Sequence, residues 1–428
     1  MPLWLFCTIA AVLFLVAIGL LYFGLWGDRS KGRLRCPKCW YGMVGSFEAG
    51  KLVCPECGKD AETEKRLRNN HRRWWAMVVA VVLVAPHMYG SYICYGWWRE
   101  DSTARTIKEL GGHVYSEPIV PDALLQLMPK SLHQYCNRAI NAFCTSDAAL
   151  THIEKLSHLQ ELQLWKQPVT NAGMAHLRGM TRLRRIVLRR TQVTDSGLVH
   201  LRGLTQLKWL DLGETKVTDA GLEHLRELTQ LERLDLSNTK VTNSGLIHLS
   251  KLTQLEFLEL NETEVTDAGL AHLQELAQLI LLELINTNVK GTGLVYLKGL
   301  GNLEYLVLDG TQTTDSALVH LKELNVLEGL NLTKTQVTNA GLVHLKDLPN
   351  LKYLHLEKTG ITGSGLVHLQ GVKKLESLYL RGTKLAASDL VHFEDMKQLS
   401  FLGLRDMNFT EEDVAELKKA LPNCEIWF

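Results

Sequence analysis

From residue 159 onward the chain repeats with a period of 24 residues and without a single insertion. The lead leucine of each unit falls at Leu159, Leu183, Leu207, Leu231, Leu255, Leu279, Leu303, Leu327, Leu351, Leu375 and Leu399, eleven units in one register. The unit from Leu207 to Gln230 shows the local logic. Leu210 and Leu212 face one way while Trp209 and Asp211 face the other, as in a short strand, and the spacing of Leu222, Leu225 and Leu228 marks a short helix. Thr218 and Asp219 are candidate caps for that helix, and Gly221 permits a close backbone approach in its first turn. One such unit cannot bury its own leucines, whereas stacked units can.

The pattern Leu-x-x-Leu-x-Leu, followed by a threonine where many members carry Asn or Cys, resembles the leucine-rich-repeat family. The resemblance implies an α/β solenoid with one parallel sheet on the concave side and short helices on the convex side. It implies protein interaction without naming the partner. The repeat also looks like the substrate-receptor repeats of F-box proteins, but the chain lacks an F-box.

The ends of the array are readable too. Residues 99–158 form a linker and N-terminal cap with a degenerate repeat: residues 104–110 read as a helix stopped by Gly111 and Gly112, and residues 146–150 imitate the helix start. The repeats fill residues 159–409, and residues 410–428 supply a last helix and a closing strand. Cys136 and Cys144 fall in the N-terminal cap, where an oxidising compartment would allow them to pair.

Upstream, residues 3–26 and 74–98 carry no charge, and each is long enough to span a bilayer, which takes about 20 apolar residues. Trp4, Trp26, Trp74, Trp75, Trp97 and Trp98 mark the ends of the two blocks, where an indole prefers the lipid–water boundary. No basic residue precedes the first block, and its length exceeds the apolar core of a signal peptide, so it reads as an uncleaved span. His87, after Pro86 inside the second block, reads as a packing contact. Residues 27–73 carry 12 Lys and Arg, against Arg99, Arg105 and Lys108 in the 20 residues after Trp98. The positive-inside rule then places the loop in the cytoplasm and the repeats outside, in a two-pass protein of a bacterial inner membrane.

That loop holds Cys36 and Cys39, then Cys54 and Cys57, two Cys-x-x-Cys pairs separated by 14 residues. Two such turns close a tetrahedral four-thiolate zinc site, structural because no position is open. The pairs resemble the zinc-ribbon family of many bacterial membrane proteins, with Gly58 after the second knuckle and Trp40 where the first usually has glycine. A loop this small needs a staple, so zinc binding would supply its folding free energy. Its basic excess would also permit contact with nucleic acid or a protein.

The candidate binding surface is the concave face, whose residues the stacking does not dictate. The second residue after the lead leucine is aromatic in every second unit: Trp209, Phe257, Tyr305, Tyr353 and Phe401. Two residues further on, Asp211, Asp235, Glu259 and Glu283 fill four consecutive strands about 4.8 Å apart. Carboxylates so placed repel one another, and folding is expected to gain nothing from them. With Arg185, Arg189 and Arg190 as a basic patch at the N-terminal rim, the face suits a cationic peptide, a divalent ion or a carbohydrate. Histidine recurs in ten units, with Tyr296 in the gap, in a column without carboxylate partners, and reads as a convex packing slot.

No phosphate-binding Gly-Lys-Ser loop, Gly-x-Ser-x-Gly elbow or His-Glu-x-x-His pair is present, so no enzyme is expected. With 47 basic and 46 acidic side chains the chain has no excess charge with which to coat nucleic acid. The expected function is a membrane-anchored scaffold that offers its concave surface to a protein or other macromolecule outside the cytoplasm. The alternative is a transmembrane sensor whose zinc ribbon contacts nucleic acid or a protein partner.

Overall fold

A computed structural model describes residues 100–118 and 137–428. Among the described residues, fourteen strands form a single sheet in strict sequence order. It opens with β1 (His113–Pro118) and β2 (Asn137–Phe143), continues with three-residue strands from β3 (Glu161–Gln163) to β13 (Phe401–Gly403), and closes with β14 (Glu425–Trp427). From β2 to β14 every neighbouring pair is parallel, and between β3 and β13 the register steps by one repeat, as in Trp209↔Arg233↔Phe257. This is the parallel sheet that the repeat predicts.

Each unit turns its leucines into one continuous core. Leu207, Leu210, Leu212, Val217, Leu222, Leu225 and Leu228 are all fully buried, and their counterparts in the other units repeat the arrangement. The buried threonine in the slot of the family's Asn or Cys satisfies its own hydroxyl: Thr215 Oγ1 donates to the Leu212 carbonyl at 2.6 Å, and Thr239 does the same to Leu236. A buried hydroxyl must find such an acceptor.

The convex elements are shorter than the expected helix. One α-turn, Asp219–Leu222, is followed by a 3-10 turn, Glu223–Leu225. Thr218 is the cap, its side chain accepting from the Ala220 N–H. Asp219 is no cap of its own helix. Its carboxylate reaches the next unit and accepts from the Thr242 N–H (2.7 Å) and the Thr242 hydroxyl (2.6 Å). The same clamp links Asp147 to Thr170, Asp195 to Thr218 and Asp315 to Thr338, and Asn171, Asn243 and Asn339 replace it with an amide.

The glycine two residues after the clamp is there because the carboxylate of the preceding unit passes over it. A Cβ on Gly245 would lie 2.4 Å from Asp219 Oδ1. Where the clamp position is itself Gly291, the following unit carries Ala317 in place of the glycine, and where it is Gly363, the following unit carries Asp389.

At the ends, residues 100–109 are helical, Gly111 turns the chain at φ +85°, and Ser146 caps the helix Asp147–Leu150. Cys144 is a free and fully buried thiol, its pKa pushed up to about 12 by burial. It is not disulfide-bonded in this structure; Cys136 lies outside the described residues. At the far end Thr410 and Asp413 form a capping box for the helix Glu411–Ala420, whose Val414 and Leu417 cover the last repeat. No helix among the described residues is long and apolar enough to cross a membrane. The expected spans 3–26 and 74–98 and the loop with Cys36, Cys39, Cys54 and Cys57 all lie outside the described residues.

Candidate functional site

The concave columns divide into two chemically different halves. In the first, Trp209 lies between two guanidiniums, with Arg185 at 3.6 Å and Arg233 at 4.7 Å from its ring centroid. Arg233 also stands 5.4 Å from the Phe257 centroid and donates to Glu259 Oε1 at 2.6 Å. The alternation Arg185, Trp209, Arg233, Phe257 in neighbouring strands therefore forms a cation–π ladder whose outer charge is held by a carboxylate.

Asp211, Asp235, Glu259 and Glu283 do stand opposite one another in consecutive strands. The expectation that folding gains nothing from them is corrected by their partners. Asp235, the most buried, accepts from Arg189 Nη1 (2.6 Å) and from the Ser237 N–H (2.8 Å). Asp211 accepts from the Gly213 N–H (2.9 Å), and Glu283 from Asn261 Nδ2 (2.6 Å). The basic patch at the rim is corrected for the same reason: Arg189 and Arg190 both bind Glu214, and Arg185 covers Trp209. Two cations still face four carboxylates. Burial, reinforced by the charge on Asp235, pushes the Asp211 pKa up to about 6, and burial and Asp235 raise that of Glu259 against the pull of Arg233.

In the second half the rings meet each other. His355 stacks on Tyr379 with centroids 4.0 Å apart and planes 5° off parallel, Tyr379 meets Phe401 at 4.8 Å, and Phe401 meets the closing Trp427 edge-on at 5.2 Å. His355 Nδ1 bonds Glu357 Oε2 at 3.3 Å, and that bond, with the Thr333 hydroxyl, draws the Glu357 pKa down. Beside this stack, Tyr305 and Tyr353 flank Gly329 in register. The Tyr305 ring leans over Gly329, and beside it lies a notch of about 360 Å³ walled by Tyr305, Tyr353, His355 and Tyr379, with Val307 and Asn331 at its side.

The sequence-selected Tyr305, Tyr353 and Phe401 thus join a surface whose other members, Gly329, His355, Tyr379 and Trp427, the columns did not single out. Tyr379 and His355 were legible as the continuation of the Asp211 column. Gly329 was legible only as a gap between aromatic residues.

On the convex side the histidines occupy a repeated half-exposed slot, but two have partners that the column alone did not announce. His176 Nδ1 lies 2.8 Å from Glu154 Oε1, and Arg202 donates to His224 Nδ1 at 3.0 Å; burial, and after it the Arg202 charge, lower the His224 pKa. Among the described residues no group of three or more His, Cys, Asp or Glu could hold a metal ion.

These features define the class: the chain carries a leucine-rich-repeat fold. A Leucine Rich repeat family model matches residues 227–250. The crystal structure of an internalin (inlF) from Listeria monocytogenes superposes with a TM-score of 0.51 at 22% identity, covering 64% of this chain and 82% of the internalin. A chain of the octameric complex of Latrophilin 3, Unc5D and FLRT2 (LRR) gives 0.48 at 19% identity, covering 63% and 83%. No curated protein matches the sequence. The structural likeness is one of fold.

Proposed function

We propose that this protein is a membrane-anchored scaffold that presents the concave face of its repeats to a protein ligand outside the cytoplasm. The observation that carries the reading is the contrast between core and concave columns. The leucines that stack are the same from unit to unit. The second and fourth residues after each lead leucine change from arginine and tryptophan to tyrosine, glycine and histidine. Aromatic and arginine anchors are the residues that dominate protein interfaces. The role is binding and not catalysis, because an open sheet face lacks the enclosed pocket that chemistry prefers.

In this reading residues 3–26 and 74–98 are the anchor, and Cys36, Cys39, Cys54 and Cys57 hold a structural zinc in the loop between them. The bilayer is then a second partner. The loop's basic excess supports, as an alternative output, contact with nucleic acid or a cytoplasmic protein.

A photo-crosslinking residue at Tyr353 on the concave face should capture a protein in intact cells, and one at Val367 on the convex face should not. Adducts from Val367 alone would overturn the reading. Single cysteines at Ser46 and Lys251, in a background without the exposed native thiols, test the topology: a membrane-impermeant reagent should label only the Lys251 site. The zinc proposal requires metal to co-purify with the full chain and to vanish when Cys36 and Cys39 become serine.

A further inference from the structure

On one surface, with only the strand of Leu281 between the two stretches, the same column is built in two ways. At Arg185, Trp209, Arg233 and Phe257 the fold supplies its own arginines between its aromatic rings, and each guanidinium sits against a ring face. At Tyr305, Gly329 and Tyr353 the alternation is the same, but glycine stands where the arginine would be.

Two carboxylates adjoin residues that line the notch, Glu283 beside Val307 and Glu304 beside Tyr305. Glu283 is in register with Val307 in the neighbouring strand and bonds only the neutral Asn261 amide. Glu304 precedes Tyr305, whose hydroxyl is held above its ordinary pKa by burial first, then by Glu328, Tyr353 and Glu304. Among the described residues neither Glu283 nor Glu304 forms an ion pair, whereas Glu328 is paired with Lys352 at 2.7 Å and Asp309 with Lys334 at 3.4 Å. The His355 wall is already fixed, held by Tyr379 on its face and Glu357 at its nitrogen. A wall held before binding loses little entropy on binding.

We propose that the Tyr305–Gly329–Tyr353 notch receives an arginine side chain from the protein ligand, its guanidinium stacked on the tyrosine rings and its charge met by Glu283 and Glu304. The inference rests on the concave-face reading and names the ligand's anchor. An arginine suits the place better than a purely apolar residue, which would leave the two carboxylates without a counter-charge. It suits it better than lysine, whose compact ammonium cannot stack as a plane. The ladder at Trp209 shows the same geometry made within the chain.

The probe is a random dodecapeptide library displayed on phage and selected against the full chain in detergent. Selected peptides should share an arginine. Replacing it by citrulline, which keeps the shape and removes the charge, should weaken binding at least about tenfold, and lysine should weaken it measurably. Gly329→Arg, which places an arginine in the column as at Arg233, should abolish binding while circular dichroism shows the repeats still folded. Tyr305 must shift to admit the new side chain, because a Cβ at Gly329 would lie 2.5 Å from its Cδ1. Glu283→Gln, which changes no packing, is therefore the second variant, and it should weaken binding and flatten its salt dependence. Peptides without arginine, equal affinity for citrulline, or binding unchanged by both variants would overturn the proposal. If Tyr353 still captures a protein in cells after such a result, the arginine anchor fails and the concave reading stands; if neither holds, both fail.

Discussion

Asp211 shows how a surface carboxylate is controlled by its neighbours. Burial and Asp235 raise its pKa from 3.8 to about 6, so the folded chain keeps this proton where the unfolded chain has lost it. A raised carboxylate pKa contributes stability at low pH that is lost as pH climbs from about 4 through about 6. Asp211→Asn keeps an acceptor for the Gly213 N–H and removes the charge. It should stabilise the protein by about 1 kcal/mol at neutral pH, after discount for solvent screening, with no gain at about pH 4. Paired thermal melts at the two pH values check this, and a lower neutral-pH midpoint would mean that the attraction of Arg189 outweighs burial. At the same scale, the left-handed residues Glu214, Asn238 and Glu262 (φ 55°, 53° and 56°) let the chain leave each strand, and only some units use Asn or Gly there. Backbone strain at the others is tolerated because neighbouring units hold the turn, as where Glu214 N–H donates to the Ser237 carbonyl at 2.7 Å.

Between elements, the convex clamp carries the coupling from unit to unit. Asp219→Ala removes the acceptor for two donors of the next unit and should cost about 1–3 kcal/mol, while Asp219→Asn, the residue present at position 243, should cost far less. Chemical denaturation of the variants gives the comparison. The clamp and the glycine it crosses are one device. Gly245→Ala should destabilise because the new Cβ meets Asp219 Oδ1, and Asp219→Gly in the same chain should recover part of the loss, with a coupling energy of about 0.5–3 kcal/mol. The chain already makes this exchange at Gly291 and Ala317. Strict additivity in the double-mutant cycle would show that the two positions do not share space.

For the array as a whole, stability is a sum over neighbours and depends on closed ends. Deleting residues 410–428 removes Val414 and Leu417 from the core and leaves the edge of β13 open. The truncated chain should lose about 3–6 kcal/mol from these two side chains and should associate through the free edge. Calorimetry and light scattering read the two effects, and a monomer with an unchanged melt would show that the last repeat closes itself.

The fixed period and its leucines were enough to specify the sheet, its parallel order and the continuous core, because each depends only on interactions between identical units one repeat apart. Trp209, Tyr305, Tyr353 and Phe401 were legible as a concave column for the same reason. The meaning of the charges was not legible. Arg189 lies 46 residues before the Asp235 that it neutralises, and Asp219 spends its carboxylate on the next unit and not on its own helix. Side-chain length and the spacing of adjacent strands decide such pairings, and neither appears in a column of letters. The notch at Gly329 belongs to the tertiary structure on the same ground: a missing side chain becomes a place to bind only when rings from both neighbouring strands close around it.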